Sequence, residues 1–485
     1  MAAMIRHREA PAALLLAVAL AVAALPFGAV MPGARTALAV TAFVALVLAV
    51  LLVRREDRML RVRWPAGALL AVAAVGAIQL VPLPRFLVRV LSPNHARHAA
   101  NADEALVAAG LEPSVAGVQL TLAPEVTYRT MLWLLAVAAA LVAGHLAGRH
   151  RGERRLLAGA VVLAALFETL YGARQLMTSP RHIWGMEVPG VHTRLRGTFV
   201  NPNHLATYLV IAMCLVFAWG WWAWKRRRQV DALDARIFLL LPPIVVWLAL
   251  FTGLTLTGSR VGLASAVLGT GAAVMLGVMA ERQKTVRAVL ALAGIGAAFV
   301  GIGIVLASVL GVDRTFGRLF EASAYDVDGV ARARVYLHTL QLWLGYPVFG
   351  SGLGSFRDAF DPIQPRSLHG RWDHAHNDLF ELLATGGLLS AVAIALGVFF
   401  LVRHLVHALS DGIRTEDRAA GLAGLAILVA LGASETLDYG LTMPANAFTA
   451  AVLLGALAAA STRQYPSDTS EGDTEPPPRD TTSSR

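Results

Sequence analysis

Residues 371–402 read RWDHAHNDLFELLATGGLLSAVAIALGVFFLV, and the two parts of that stretch make opposite demands. From 379 to 402 only Glu381 ionises, and the rest is apolar or small. A helix over these residues is long enough to cross a hydrocarbon core, which takes about 20 apolar residues. Immediately before it, residues 373–378 carry Asp373, His374, His376, Asn377 and Asp378. Titratable groups are therefore packed against a membrane boundary, and the remaining chain must say which side they face.

Eleven further stretches have the length and apolarity of a span: 10–30, 35–53, 65–83, 130–148, 156–176, 203–224, 237–257, 261–280, 288–310, 420–437 and 441–461. The composition agrees. The 485 residues are 56% hydrophobic and only 15% charged, against roughly 25% charged in soluble domains. The expected fold is an all-α polytopic membrane protein of about 12 transmembrane helices. The first stretch follows MIRHREA and has the outline of a signal peptide; the topology requires it as a retained helix. Cys214 is the single cysteine, so a disulfide framework is excluded.

The net charge is +10, and all but two of the 42 basic residues are arginine. No basic run lies on a soluble domain, which argues against nucleic acid. Loop arginines that orient helices account for the excess. With a cytoplasmic N-terminus, the inner segments hold 25 of the 42. Most of the rest lie in three long outer segments, where the orientation rule has little force. Both termini are then cytoplasmic, and residues 462–485 read as a disordered tail. The membrane domain is 1–461, and the outer segments are 84–129, 177–202 and 311–378. Within the first, NADEALVAAGL is expected to form a short amphipathic helix.

The outer segments hold the residues that need a reason. The loop 311–378 contains seven arginines: Arg314, Arg318, Arg332, Arg334, Arg357, Arg366 and Arg371. Most are expected to be solvated or to face lipid headgroups. ARARVYLHTLQLWLGYP is expected to lie along the membrane surface, with Val335, Leu337, Leu340, Leu342 and Leu344 as its apolar side. Arg260 sits in a hairpin too short to carry it into water, so it either snorkels or holds an anion. GSGLGSF lacks the βαβ surroundings of a nucleotide loop, and its glycines point instead to a tight turn or a close backbone approach. Asn201-Pro202-Asn203 can turn the chain and cap the sixth span. His-x-His is strand spacing without a zinc signature, so neither a metal nor a cofactor is expected. A histidine that titrates near neutrality can accept a proton, which makes His376 a candidate general base, with Asn377 or Asp378 starting the next helix.

Four blocks, RGTFVNPNHLATYL, TGSRVGLA, RVYLHTLQLWLGYPVFGSGLGSF and HAHNDLFELLATGGLL, stand in the order seen in the O-antigen ligase and polymerase family of bacterial envelope enzymes, which this chain resembles over roughly residues 155–440. The resemblance implies a GT-C-like fold with a large extracytoplasmic loop of short helices. It implies transfer of a glycan from undecaprenyl pyrophosphate to an acceptor hydroxyl at the outer face of the inner membrane, inverting and without metal. It assigns His376 as base, and Arg260 with Arg334, or Arg332 two residues earlier, as pyrophosphate ligands. Arg196, Asn203 and Asn377 fall in the matching blocks and are expected to bind substrate. The implied partners are the lipid-linked donor, a hydroxyl acceptor (lipid A-core, another glycan or a protein) and membrane lipids. Two positions depart from the family pattern: His338 where the surface helix usually carries tryptophan, and ATGG where Glu-Thr-Gly is frequent. Ligase, polymerase and protein O-oligosaccharyltransferase differ by acceptor alone, and ligase is weakly favoured. A polysaccharide transporter or flippase is the rival class. It calls for mid-membrane polar residues, and Glu168 with Pro242-Pro243 are the main candidates.

Overall fold

The apolar runs fold as helices because a backbone without water must satisfy its own hydrogen bonds. In the computed structural model the described residues are 10–53, 60–113, 117–188, 193–280, 327–410 and 413–460. Nine helices among them are long and apolar enough to cross a membrane. They are α2 (Pro32–Leu52), α3 (Arg63–Leu80), α6 (Pro124–Ala147), α7 (Arg151–Thr178), α8 (Pro202–Arg226), α9 (Leu233–Leu256), α10 (Arg260–Ala280), α13 (Asp378–His407) and α14 (Thr415–Glu435). Two shorter apolar helices among the described residues are α1 (Ala10–Val22) and α15 (Pro444–Ala458). The expected span 288–310, Arg314, Arg318 and the tail lie outside the described residues. The only sheet among the described residues is the two-residue hairpin His182–Ile183 with Met186–Glu187.

Small side chains bring the helices close. A Cβ on Gly144 of α6 would stand 2.3 Å from the Val452 carbonyl oxygen of α15, and one on Gly455 would stand 2.1 Å from that of Leu141. Without a hydrophobic drive inside a bilayer, such backbone approach is a main source of helix association.

The two ends of the bundle differ in chemistry. At one, Arg154 meets Asp417 at 2.5 Å, while Arg151, Arg155 and Arg226 meet Glu416 at 2.5, 3.0 and 3.6 Å. These are the arginine-rich inner segments of the sequence reading, now joined across α7, α8 and α14. At the other end lie the short helices α4 (Arg85–Leu91), α5 (Pro93–Ala108), α11 (Val327–Gly345) and α12 (Phe356–Phe360). NADEALVA forms the last half of α5.

That second end is organised around a break in α13. Gly387 has φ 69°, ψ −177°, a conformation essentially restricted to glycine, and the helix is interrupted there. The interruption frees carbonyls and N–H groups, and the glycine loop after α11 takes them up. Ser351 N–H donates to Ala384 O at 2.8 Å, Gly352 N–H to Thr385 O at 3.0 Å, and Leu388 N–H to Pro347 O at 2.9 Å. Gln79 of α3 completes the joint: its Nε2 donates to Thr385 O at 3.0 Å and its Oε1 accepts from Leu353 N–H at 2.9 Å. GSGLGSF is thus a close-approach loop that holds the end of α11 against a broken span.

Candidate active site

His376 precedes α13 and has φ 54°, left-handed for a residue with a Cβ. Such a conformation costs on the order of 1–3 kcal/mol and persists only where the surroundings impose it. Three side chains, Tyr336, Asn377 and Glu381, hold the chain around it. The Tyr336 hydroxyl donates to the His376 carbonyl at 2.8 Å. Asn377 caps α13, its Oδ1 accepting from Phe380 N–H at 3.0 Å, and its Nδ2 donates to Thr436 O at 2.8 Å. Upstream, Glu381 accepts from Ala375 N–H at 2.9 Å and meets His374 Nδ1 at 3.0 Å.

The imidazole of His376 stands between Trp372 and Tyr439, edge-on to both, at ring distances of 5.3 and 4.6 Å. Its Nδ1 is buried without a hydrogen bond, and the facing acceptor is Asp438 Oδ1 at 3.8 Å. That separation suits an ion pair that tightens when the imidazole gains a proton. Asp438 lies in the turn after α14, which is tied down from several sides. Asn446 Nδ2 donates to Gly440 O at 3.0 Å, Glu435 accepts from Leu441 N–H at 2.9 Å, and Tyr439 N–H donates to Asp438 Oδ1 at 3.0 Å. Burial pushes the Asp438 carboxyl upward, but His376, Arg332 and His204 outweigh it and hold the group below the usual carboxylate range.

A polar relay runs from Asp438 to the α9–α10 turn. Asn203 Nδ2 donates to Asp438 Oδ2 at 2.8 Å, Arg194 Nη2 donates to Asn203 Oδ1 at 2.6 Å, and Arg194 Nε donates to Thr257 O. Thr257 lies three residues before Arg260, which opens α10 with its side chain exposed. Asn201 supplies the expected cap of α8, accepting from Asn203 N–H at 2.9 Å.

Of the two arginines on α11, only Arg332 faces this cluster. It is half-buried, and its charge acts on Asp438, Tyr439 and Tyr336. Arg334 is exposed. The helix explains this. Its buried stripe is Val335, Thr339 and Leu342, continued by Tyr346 beyond its end. Arg332 sits seven residues before Thr339 on that face, whereas Arg334 shares the opposite face with Leu337, which is 57% exposed. The apolar side expected from the sequence is corrected here: Leu337 and Leu344 point away from the protein.

Arg196 is placed differently from Arg260. It is fully buried in the loop before α8, with Nη2 donating to Pro180 O at 3.1 Å. Beside it, Thr198 donates through N–H and hydroxyl to Glu168, both at 2.7 Å. Gly197, at φ 56°, permits this, since a Cβ there would stand 2.2 Å from Glu168 Oε2. Glu168 therefore anchors a loop rather than lining a mid-membrane path.

The sequence reading passed over Tyr439, a shared wall for three imidazoles. His374 stacks on it at 4.6 Å, and His376 and His204 meet it edge-on at 4.6 and 4.8 Å. Burial and Asp438 push its phenol up to about 12, so it serves as a neutral wall and not as a base. No group of three or more His, Cys, Asp or Glu side chains among the described residues could hold a metal ion.

Residues 244–395 match the O-antigen ligase family model. Over that segment the chain is similar to O-antigen ligases, which supports glycan transfer of ligase or polymerase type. Arg260, Arg332, His376 and Asn377 fall within the O-antigen ligase match, while Arg194, Asn203, Asp438 and Tyr439 fall outside it. No curated protein matches the chain.

Proposed function

We propose that the protein transfers a glycan from undecaprenyl pyrophosphate to an acceptor hydroxyl at the outer face of the inner membrane. The observation that carries this reading is the His376–Asp438 pair at 3.8 Å beside Arg332. Asp438 on the Nδ1 side keeps the proton there and leaves Nε2 as the base. The acceptor hydroxyl gives its proton to Nε2 as its oxygen bonds to C1 of the donor sugar. The bond from C1 to the pyrophosphate oxygen breaks, and its electron pair leaves with undecaprenyl pyrophosphate. Asp438 then faces an imidazolium, and the pair strengthens. A general base of this kind contributes on the order of 10²–10⁴-fold.

The leaving group gains negative charge, and preorganised donors meet that need without a metal. Arg332 and Arg260 are the proposed ligands, with Arg194 holding the turn that carries Arg260. Attack from the face opposite the pyrophosphate inverts the anomeric centre. The arginine distribution supports an outward-facing site, since the basic segments gather at the opposite end of the bundle. Ligase is favoured over polymerase because the segment 84–129 offers a second surface at the site end, developed below.

The test uses purified protein, undecaprenyl-pyrophosphate glycan and candidate acceptors in chelator. Transfer is expected without divalent metal, with inverted product and with label on lipid A-core. Retained configuration would remove the direct-attack mechanism, and label on a growing glycan would make the protein a polymerase.

A further inference from the structure

A second cluster of arginines lies away from His376. Arg85, Arg89 and Arg97 line a pocket of about 210 Å³ between α4 and α5, closed by Ala96, Ala100 and Val118. Arg85 is paired with Asp103, while Arg89 and Arg97 have no acidic partner among the described residues. The pocket thus carries two uncompensated positive charges. Its frame is fixed: Leu83 and Val118 exchange backbone hydrogen bonds at 3.0 and 2.9 Å.

The same short helix turns an apolar edge outward. Phe86 is 71% and Val90 78% exposed, each one position past a pocket arginine. α4 begins five residues after the end of span α3 at Leu80. A helix so placed, with exposed apolar residues on a face adjoining its arginines, fits the lipid boundary with its charges at headgroup depth. A free anion gives no reason for the Phe86–Val90 edge; a lipid does.

The pocket is also coupled to the reaction site. Asn94 Nδ2 donates to Gly345 O at 2.9 Å, and His95 meets the Tyr346 ring at 4.6 Å. These contacts fix α5 to the last turn of α11. Arg332 is thirteen residues back along that helix, about 20 Å at 1.5 Å per residue.

We propose that Arg85, Arg89 and Arg97 bind a phosphate group of the acceptor lipid, a phosphorylated glycolipid whose reacting hydroxyl lies on the order of 20 Å from that phosphate. Arginine forks onto phosphate oxygens, and the intervening sugars span the distance along α11. The proposal rests on the acceptor being a lipid-anchored glycan, as the ligase reading has it.

Binding is measured first, with the full chain in phosphatidylcholine nanodiscs and lipid A as probe, with and without its phosphates. Wild type should prefer the phosphorylated form. The exchange Arg89→Gln/Arg97→Gln should weaken that form by about tenfold or more and leave the dephosphorylated form unchanged. Phe86→Ser/Val90→Ser should weaken the lipid, and inorganic phosphate should compete poorly. Equal retention of both lipids by wild type, or unchanged binding by the double arginine variant, would overturn the proposal. Competition by inorganic phosphate at the affinity of the lipid would assign the pocket to a free anion and overturn it too. In transfer assays the arginine variant should raise KM for the phosphorylated acceptor and leave kcat unchanged. Absence of transfer by wild type, with the binding contrast intact, would count against the glycosyltransferase reading and leave the lipid-phosphate site standing.

Discussion

Asp438→Asn separates the charge of the acid from its shape. The amide fills the same space and retains a carbonyl oxygen for Tyr439 N–H, but its NH2 replaces the oxygen that accepts from Asn203, so that bond is lost together with the negative charge 3.8 Å from His376 Nδ1. At an effective dielectric near 20, a unit pair at that distance interacts by about 4 kcal/mol. In the proposed mechanism the imidazolium forms as the proton transfers, so the loss is expected to fall on the transition state. At roughly 1.4 kcal/mol per decade the ceiling is about a thousandfold in kcat. The His376 side chain is 21% exposed, and solvent takes part of that. The expected fall is therefore about 10²–10³-fold, with KM for the donor changed little. The assay is single-turnover transfer from undecaprenyl-pyrophosphate glycan, with Asp438→Glu alongside to restore the charge. Asn203→Ala, which removes the 2.8 Å bond to Asp438 Oδ2, should cost about tenfold. Activity of Asp438→Asn within threefold of wild type would refute the pairing, and so would a loss expressed only in KM.

Three other outcomes are expected. Arg332→Gln should lower transfer by about 10²–10³-fold, whereas Arg334→Gln should stay within a few-fold of wild type; equal losses would undo the assignment of the buried face of α11. Gly387→Ala should destabilise the protein by at least about 2 kcal/mol, seen as a lower melting temperature, because its Cβ would stand 2.2 Å from Val348 O in a backbone conformation alanine avoids. The His374–Glu381 pair predicts a pH effect on stability. Burial disfavours the His374 imidazolium, but the hydrogen bond and charge of Glu381 outweigh it and raise the group above 6.5. Folding then binds the proton more tightly, so the stabilisation is complete below 6.5 and fades as pH climbs through the raised value. The melting temperature of wild type should fall more than that of His374→Asn across that interval; parallel slopes would exclude the coupling.

The helices were legible because a span must be apolar along its whole length, whatever it packs against. The start of α13 at Asn377 was legible for a similar reason, since a cap needs only its own neighbours. The pairing of Asp438 with His376 and the role of Arg194 were not, because they are contacts between α8, α14 and the segments around them, and no local spacing encodes such meetings. Arg332 was within reach. Counting sevens from Thr339 separates it from Arg334, but the leucines at 337 and 344 suggested an apolar side that the fold leaves exposed.

The left-handed backbone at His376 has a bearing on how its chemistry is dissected. Asparagine tolerates φ 54° far better than alanine or valine does. An alanine exchange there removes an imidazole and strains the peptide that starts α13, so it reports two losses as one. His376→Asn removes the titrating ring while sparing the bend, and the gap between the Asn and Ala variants measures how much of catalysis depends on the shape of the chain at that residue.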